Sequence, residues 1–286
     1  MDLRNINESS NVEDTRGTSG GRGGRMLFGG GLGATVLALI VYFLGGDPSQ
    51  ILPQGDSGPG TVSERGAPGQ RADDATAVFV KKVLTTTEDV WTQLFMEKYQ
   101  EQYQKPTLRI YDDGVQTGCG TASAAAGPFY CPADQKVYID LAFADELRGK
   151  FNAPGDFALA YVIAHEVGHH VQNLLGISGK VQQMMQRSSE AEANALSVRL
   201  ELQADFLAGI WAHYTQQMQG VVEPGDIQEA LGAAAAVGDD NIQEMARGYV
   251  QPESFTHGTS EQRMYWFKRG YQSGDIDQGD TFSGSL

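Results

Sequence analysis

Apolar residues recur at Ala160, Ala164, Val167, Val171 and Leu174, the spacing of a buried helical stripe, which predicts a helix over 156–175. Asp156, after Pro154-Gly155, is its expected N-cap, and Gly176 its expected stop. The same periodicity at Ala195, Val198, Leu202, Phe206 and Ile210 predicts a long helix over 189–219. Val80, Val83, Leu84, Trp91, Leu94 and Phe95 predict another within 75–104, and shorter helices are expected at 145–150, 226–237 and 260–272. "TLRIY" (107–111) and "KVYIDL" (136–141) alternate and are rich in β-branched and aromatic residues, so they read as strands. The pattern is that of an α+β domain over 75–286, a mostly helical core with a small antiparallel sheet.

The N-terminal quarter reads differently. Residues 1–25 are polar and rich in Gly and Ser, an expected disordered segment. Residues 26–45 are uncharged and long enough for the ~20 residues of a bilayer span, with no clear signal-peptidase site after them, so a transmembrane signal anchor is expected. Arg4, Arg16, Arg22 and Arg25 precede this span and the next basic residue is Arg65. Positive-inside bias would then place the N-terminus in the cytoplasm. The expected topology is single-pass in the inner membrane, with the 75–286 domain periplasmic or extracellular and residues 46–74 a Pro/Gly/Ser-rich flexible linker.

Candidate chemistry is concentrated in "YVIAHEVGHHVQ" (161–172), which holds three of the chain's five histidines. On a helix His165 and His169 lie roughly 40° apart, whereas His170 is turned roughly 140° from His165 and Glu166 roughly 100°. This is the H-E-x-x-H arrangement: two imidazoles that bind Zn²⁺ and a glutamate that acts on a water at the metal. Buried imidazoles and a buried carboxylate without partners would be costly, and a metal removes that cost. A catalytic zinc takes three protein ligands, and no histidine follows at the short metzincin spacing, so the third is expected to be remote. The 189–219 helix offers Glu190, Glu192 and Glu201. Glu201 and Asp205 stand one turn apart, as a ligand and an outer partner to a ligating histidine would.

Here the chain resembles a family. "AHEVGHHVQ", "RLELQADFLAGIW", "GCGTASAAAGPFYCPADQKVYIDL" (118–141) and "FTHGTSEQRMYWFKRGYQSGD" (255–275) are similar, in order, to motifs of the bacterial neutral zinc metallopeptidases, relatives of the gluzincins. The resemblance implies a zincin-like fold with Zn²⁺ held by His165, His169 and Glu201, and Glu166 as catalytic base. It also implies a peptide or protein substrate, with an edge strand beside the metal that pairs with it, for which "KVYIDL" is the candidate. His257, Arg263 and Tyr265, in the last motif, are candidate stabilisers of the transition state. The chain departs from the family pattern where cysteines often stand, at Phe206 and near Gly279, leaving open how the tail is held.

Composition changes the picture little. A net charge of −15 argues against a nucleic-acid partner. The two cysteines, Cys119 and Cys131, are an even count in a domain expected to be exported, which argues for a disulfide over a zinc pair or idle thiols. His170 and His213 are read as structural. The competing function is a catalytically inactive zincin-fold binding or assembly module of the cell envelope; such proteins typically lose the base or a ligand, and none is missing here.

Overall fold

The computed structural model describes residues 1–17 and 74–284. The first helix, α1 (Asp74–Leu94), buries Val80, Val83, Leu84, Trp91 and Leu94 as its periodicity requires. It ends in a π-helical turn (Phe95–Tyr99) closed by Gln100 at φ 55°, ten residues short of its expected reach at most. Two strands follow: β2 (Thr107–Tyr111) and, after the hairpin β3 (Gly114–Thr117) and β4 (Gly120–Ser123) and the short β5 (Phe129–Cys131), β6 (Lys136–Asp140). A further strand, β1 (Val12–Asp14), comes from the N-terminal segment.

The main sheet has the order β1-β2-β6-β5. β1 runs parallel to β2, β2 parallel to β6, and only β5 is antiparallel. The expected antiparallel sheet is thus corrected to a mixed one, because β5 and β6 form a tight hairpin that returns β6 alongside β2 in the same direction. "KVYIDL" is paired on both sides, so the edge strand is β5 instead. A disulfide joins Cys119, in the β3–β4 turn, to Cys131 at the end of β5.

The expectation of a preceding transmembrane helix, and with it of single-pass residence in the inner membrane, is also corrected. Among the described residues no helix is long and apolar enough to cross a membrane. The segment 26–45 itself, like residues 46–73 of the expected linker 46–74, lies outside the described residues; Asp74 already belongs to α1. Residues on either side of that segment form one structure: Val12–Asp14 pair with Leu108–Ile110, Leu3 is buried in the main core, and Lys136 binds Glu13 at 2.7 Å. A single crossing between them would put these partners on opposite sides of a bilayer. Residues 1–17 are correspondingly ordered, not the disordered tail their composition predicts.

Helices build the rest. α2 (Phe143–Gly149) leads to α3 (Asp156–Leu174), in which every residue from Phe157 to Gln172 is buried. Asp156 is its first residue and not its cap: the Phe157 N–H donates to Glu229, 3.1 Å away, while Asp156 pairs with the Met1 ammonium. α4 (Ile177–Met185) starts straight from Gly176. α5 (Glu190–Gln219) opens with a capping box between Ser189 and Glu192 and runs 30 residues through the core. α6 (Asp226–Ala236), α7 (Asp239–Arg247) and α8 (Ser260–Ser273) complete the bundle. α5 and α8 cross at two glycines with almost no gap: a Cβ on Gly209 would sit 2.1 Å from the Phe267 carbonyl oxygen, and one on Gly270 2.1 Å from that of Phe206.

The tail folds back on α5 without cysteines. Gly279 lies so close to the Phe206 ring that a Cβ there would be 2.5 Å from it. Gln203 Nε2 donates to the Gly279 carbonyl at 2.9 Å, and Thr281 Oγ1 to that of Arg199 at 2.6 Å.

Candidate metal centre

α3 and α5 cross where their functional residues meet. The His165 and His169 rings stand 4.8 Å apart and nearly perpendicular, and both Nε2 atoms face the Glu201 carboxylate, at 3.1 and 3.4 Å. One ligand atom from each of the three lies within 4.8 Å of the others, and all three residues are buried. Each imidazole is oriented from behind. His165 Nδ1–H donates to Asp205 Oδ1 at 2.8 Å, and His169 Nδ1–H to Gln172 Oε1 at 2.9 Å. Both tautomers therefore leave an Nε2 lone pair turned toward the carboxylate, the donor set a zinc ion takes.

The surrounding carboxylates favour positive charge at this point. Burial opposes a charge on His165, but Asp205 and Glu201 outweigh it and raise its pKa to about 10, so a proton competes with a metal for the Nε2 lone pair. Burial likewise opposes the Glu201 carboxylate, yet His169 and His165 hold it well below the usual carboxylate range. The cluster gathers positive charge, and its residues fit a metal cation.

Asp205 is the hub of a second layer. It accepts from Tyr161 at 2.5 Å and from Arg263 through both Nε and Nη2, at 2.8 and 3.0 Å. Burial would raise its pKa; the guanidinium and His165 outweigh that and hold it at about 2. Arg263 also donates to Tyr161 and to the Val237 carbonyl, so its donors are committed to positioning.

Glu166 lies beside the cluster, facing the same cavity as His165, His169, Glu201, His257 and Arg263. Its carboxylate makes no hydrogen bond among the described residues, and burial pushes its pKa up. His257 is held by Asp239, whose Oδ1 is 3.1 Å from Nδ1 and whose Oδ2 accepts the backbone N–H groups of residues 256, 257 and 258. Burial opposes its charge, but Asp239 and then Glu201 raise its pKa. Tyr265 is not brought to the site: it is 53% exposed and bonded to Arg269. His170 turns away, donating from Nε2 to the Gln104 carbonyl and accepting at Nδ1 from Tyr130, and His213 binds the Tyr271 carbonyl.

Sequence reasoning missed Tyr161, Gln172 and Asp239. The first two were within reach, standing four residues before His165 and three after His169 on one helix. Asp239, in an unremarkable Asp-Asp pair at a helix start, carried no signal.

A buried pair of histidines on one helix and a glutamate from a second thus form a group that could hold a metal ion. Residues 1–282 match the family model described as "Putative neutral zinc metallopeptidase", and the chain belongs to that family. It is 50% identical over 285 residues to "Uncharacterized protein YpfJ" of Escherichia coli K12, with 98% of each chain covered. It is 43% identical over 259 residues to "Uncharacterized protein Rv2575" of Mycobacterium tuberculosis H37Rv, with 84% of each covered. No solved structure matches the chain.

Proposed function

We propose that the protein is a zinc-dependent peptidase that hydrolyses peptide bonds with Glu166 as general base. One observation carries the reading: a converging His165–His169–Glu201 set with an unbonded carboxylate, Glu166, opening on the same cavity. Zinc, when bound there, supplies Lewis acidity that polarises a carbonyl and lowers the pKa of water to about 7. Glu166, its pKa raised by burial, takes the proton of the attacking water and hands it to the leaving amine. Asp239 raises the pKa of His257 and favours its protonated form, whose Nε2–H would meet the developing oxyanion. Asp205, fixed by Arg263 and Tyr161, holds His165 in its ligating orientation. Residues 125–129, leading into the edge strand β5, line the cavity and offer main chain for an extended substrate to lie against.

The test is paired. The purified protein should carry one zinc per chain and digest a casein-type substrate, with a chelator stopping the digestion. His165→Ala should lose the metal, whereas Glu166→Gln should keep it and lose turnover. Full zinc in His165→Ala would refute the ligand set, and full activity in Glu166→Gln the mechanism.

A further inference from the structure

The C-terminal tail grips one turn of α5. Thr281 Oγ1 donates to the Arg199 carbonyl at 2.6 Å, and the Arg199 guanidinium donates to the carbonyls of Thr281 and, at 2.9 Å, Gly284. Phe282 packs against the small cluster of Val181, Met185, Ala193 and Leu200. Glu201 stands inside that turn, so the tail is docked on the piece of helix that carries the third candidate ligand.

A buried relay of amides runs inward from the same contact. Gln203 Nε2 donates to the Gly279 carbonyl at 2.9 Å, and its Oε1 accepts from Gln172 Nε2 at 3.1 Å. Gln172 Nε2 also donates to the Leu200 carbonyl at 2.7 Å, and its Oε1 faces His169 Nδ1 at 2.9 Å. A backbone carbonyl only accepts, so Gly279 fixes which end of the Gln203 amide points inward. Leu200 and Gln203 together then do the same for Gln172. The His169 nitrogen that meets an amide oxygen carries the proton, which leaves Nε2 bare for a cation. Both glutamines are buried, so a lost partner leaves a polar group unpaired and favours rotation of the amide.

We propose that residues 275–284 are a working part of the metal centre: through Gln203 and Gln172, the Gly279 carbonyl holds His169 in its ligating tautomer. Gln203 is thus a positioning residue for the metal. The proposal rests on the ligand set of the reading above and not on peptide hydrolysis. Coupling of this kind is reciprocal: docking of the tail tightens zinc, and zinc tightens the tail by the same factor, typically about 5–150-fold.

The experiment measures both directions in full-length protein. Zinc affinity is read by competition with a chromophoric chelator, and tail docking by hydrogen exchange of the amides of residues 279–284. Gln203→Met, which keeps the length but neither bond, should weaken zinc about tenfold. Thr281→Val with Arg199→Ala releases the tail without touching the relay, and should also weaken zinc about tenfold. In the Gln203→Met background the same release should cost less than about twofold. In the wild type, zinc should slow exchange of the tail about tenfold more than that of residues 1–17, a peripheral segment off the relay. That excess should vanish in Gln203→Met. Wild-type zinc affinity in both variants, with the tail of the second exchanging freely, overturns the proposal, as does equal slowing of the tail and residues 1–17. If the tail variant fails to fold, the Gln203→Met comparison decides alone. A wild type that takes up no zinc refutes the ligand set and the proposal with it, whereas zinc held equally by every variant refutes the proposal alone.

Discussion

At the scale of single residues, the metal centre predicts a graded set of losses. Glu201→Ala removes one of three ligands and should abolish zinc retention. Asp205→Asn keeps the shape behind His165 but frees Arg263 of its counter-charge, and Gln172→Ala lets His169 rotate; each should lower metal affinity ~10–100-fold. Glu192→Gln should change neither zinc content nor activity, because Glu192 is exposed and Gln also completes the capping box with Ser189. Zinc titration of the four variants checks the order. Of this site His165, Glu166 and His169 were legible from helical spacing, whereas Glu201, among Glu190, Glu192 and Glu201, was singled out by the resemblance to the family. Arg263 was visible only as a nearby donor: that its guanidinium is spent on a buried carboxylate depends on α8 meeting α5, which no local pattern encodes. His170 gives a prediction of another kind. Burial lowers its pKa from 6.5 to about 4, so the unfolded chain takes up a proton first as the solution is acidified. Its contribution to stability is therefore complete above pH 6.5 and lost as pH falls toward 4. Urea denaturation across that range should show a steeper fall in the wild type than in His170→Gln.

At the scale of elements, the long periodic helices were legible and the short pieces were not. α3 and α5 carry uninterrupted apolar stripes, whereas α4 and α7 are about two turns each and polar, and β1, β4 and β5 have three or four residues. Such pieces take their conformation from what they pack against. The crossing of α5 and α8 is the most constrained contact. Gly209→Ala or Gly270→Ala should destabilise the fold by about 1–3 kcal/mol or more, since the added methyl meets backbone and not a side chain that could move. Thermal melting with zinc present checks it. Replacing both Phe206 and Gly279 by cysteine should tie the tail to α5. The two positions already touch, so a disulfide should form in air and be detected by loss of free thiol.

At the scale of the whole molecule, the fold class could be read from the chain, but the sheet topology and the place of the N-terminus could not. Residues 1–17 look like a solvated tail because Leu3 and Ile6 are isolated among polar neighbours; their partners lie far along the chain. Removing residues 1–17 should uncover the edge of β2 and the site that buries Leu3, lowering the melting temperature while leaving zinc binding in place. The pairing of Val12 with Leu108 also has a consequence in time. During synthesis at roughly 5–20 residues per second, β1 leaves the ribosome about a hundred residues before its partner, and so waits roughly 5–20 s. The first strand made stays unpaired until β2 follows it, and any factor that holds the nascent N-terminus in that interval competes directly with completion of the sheet.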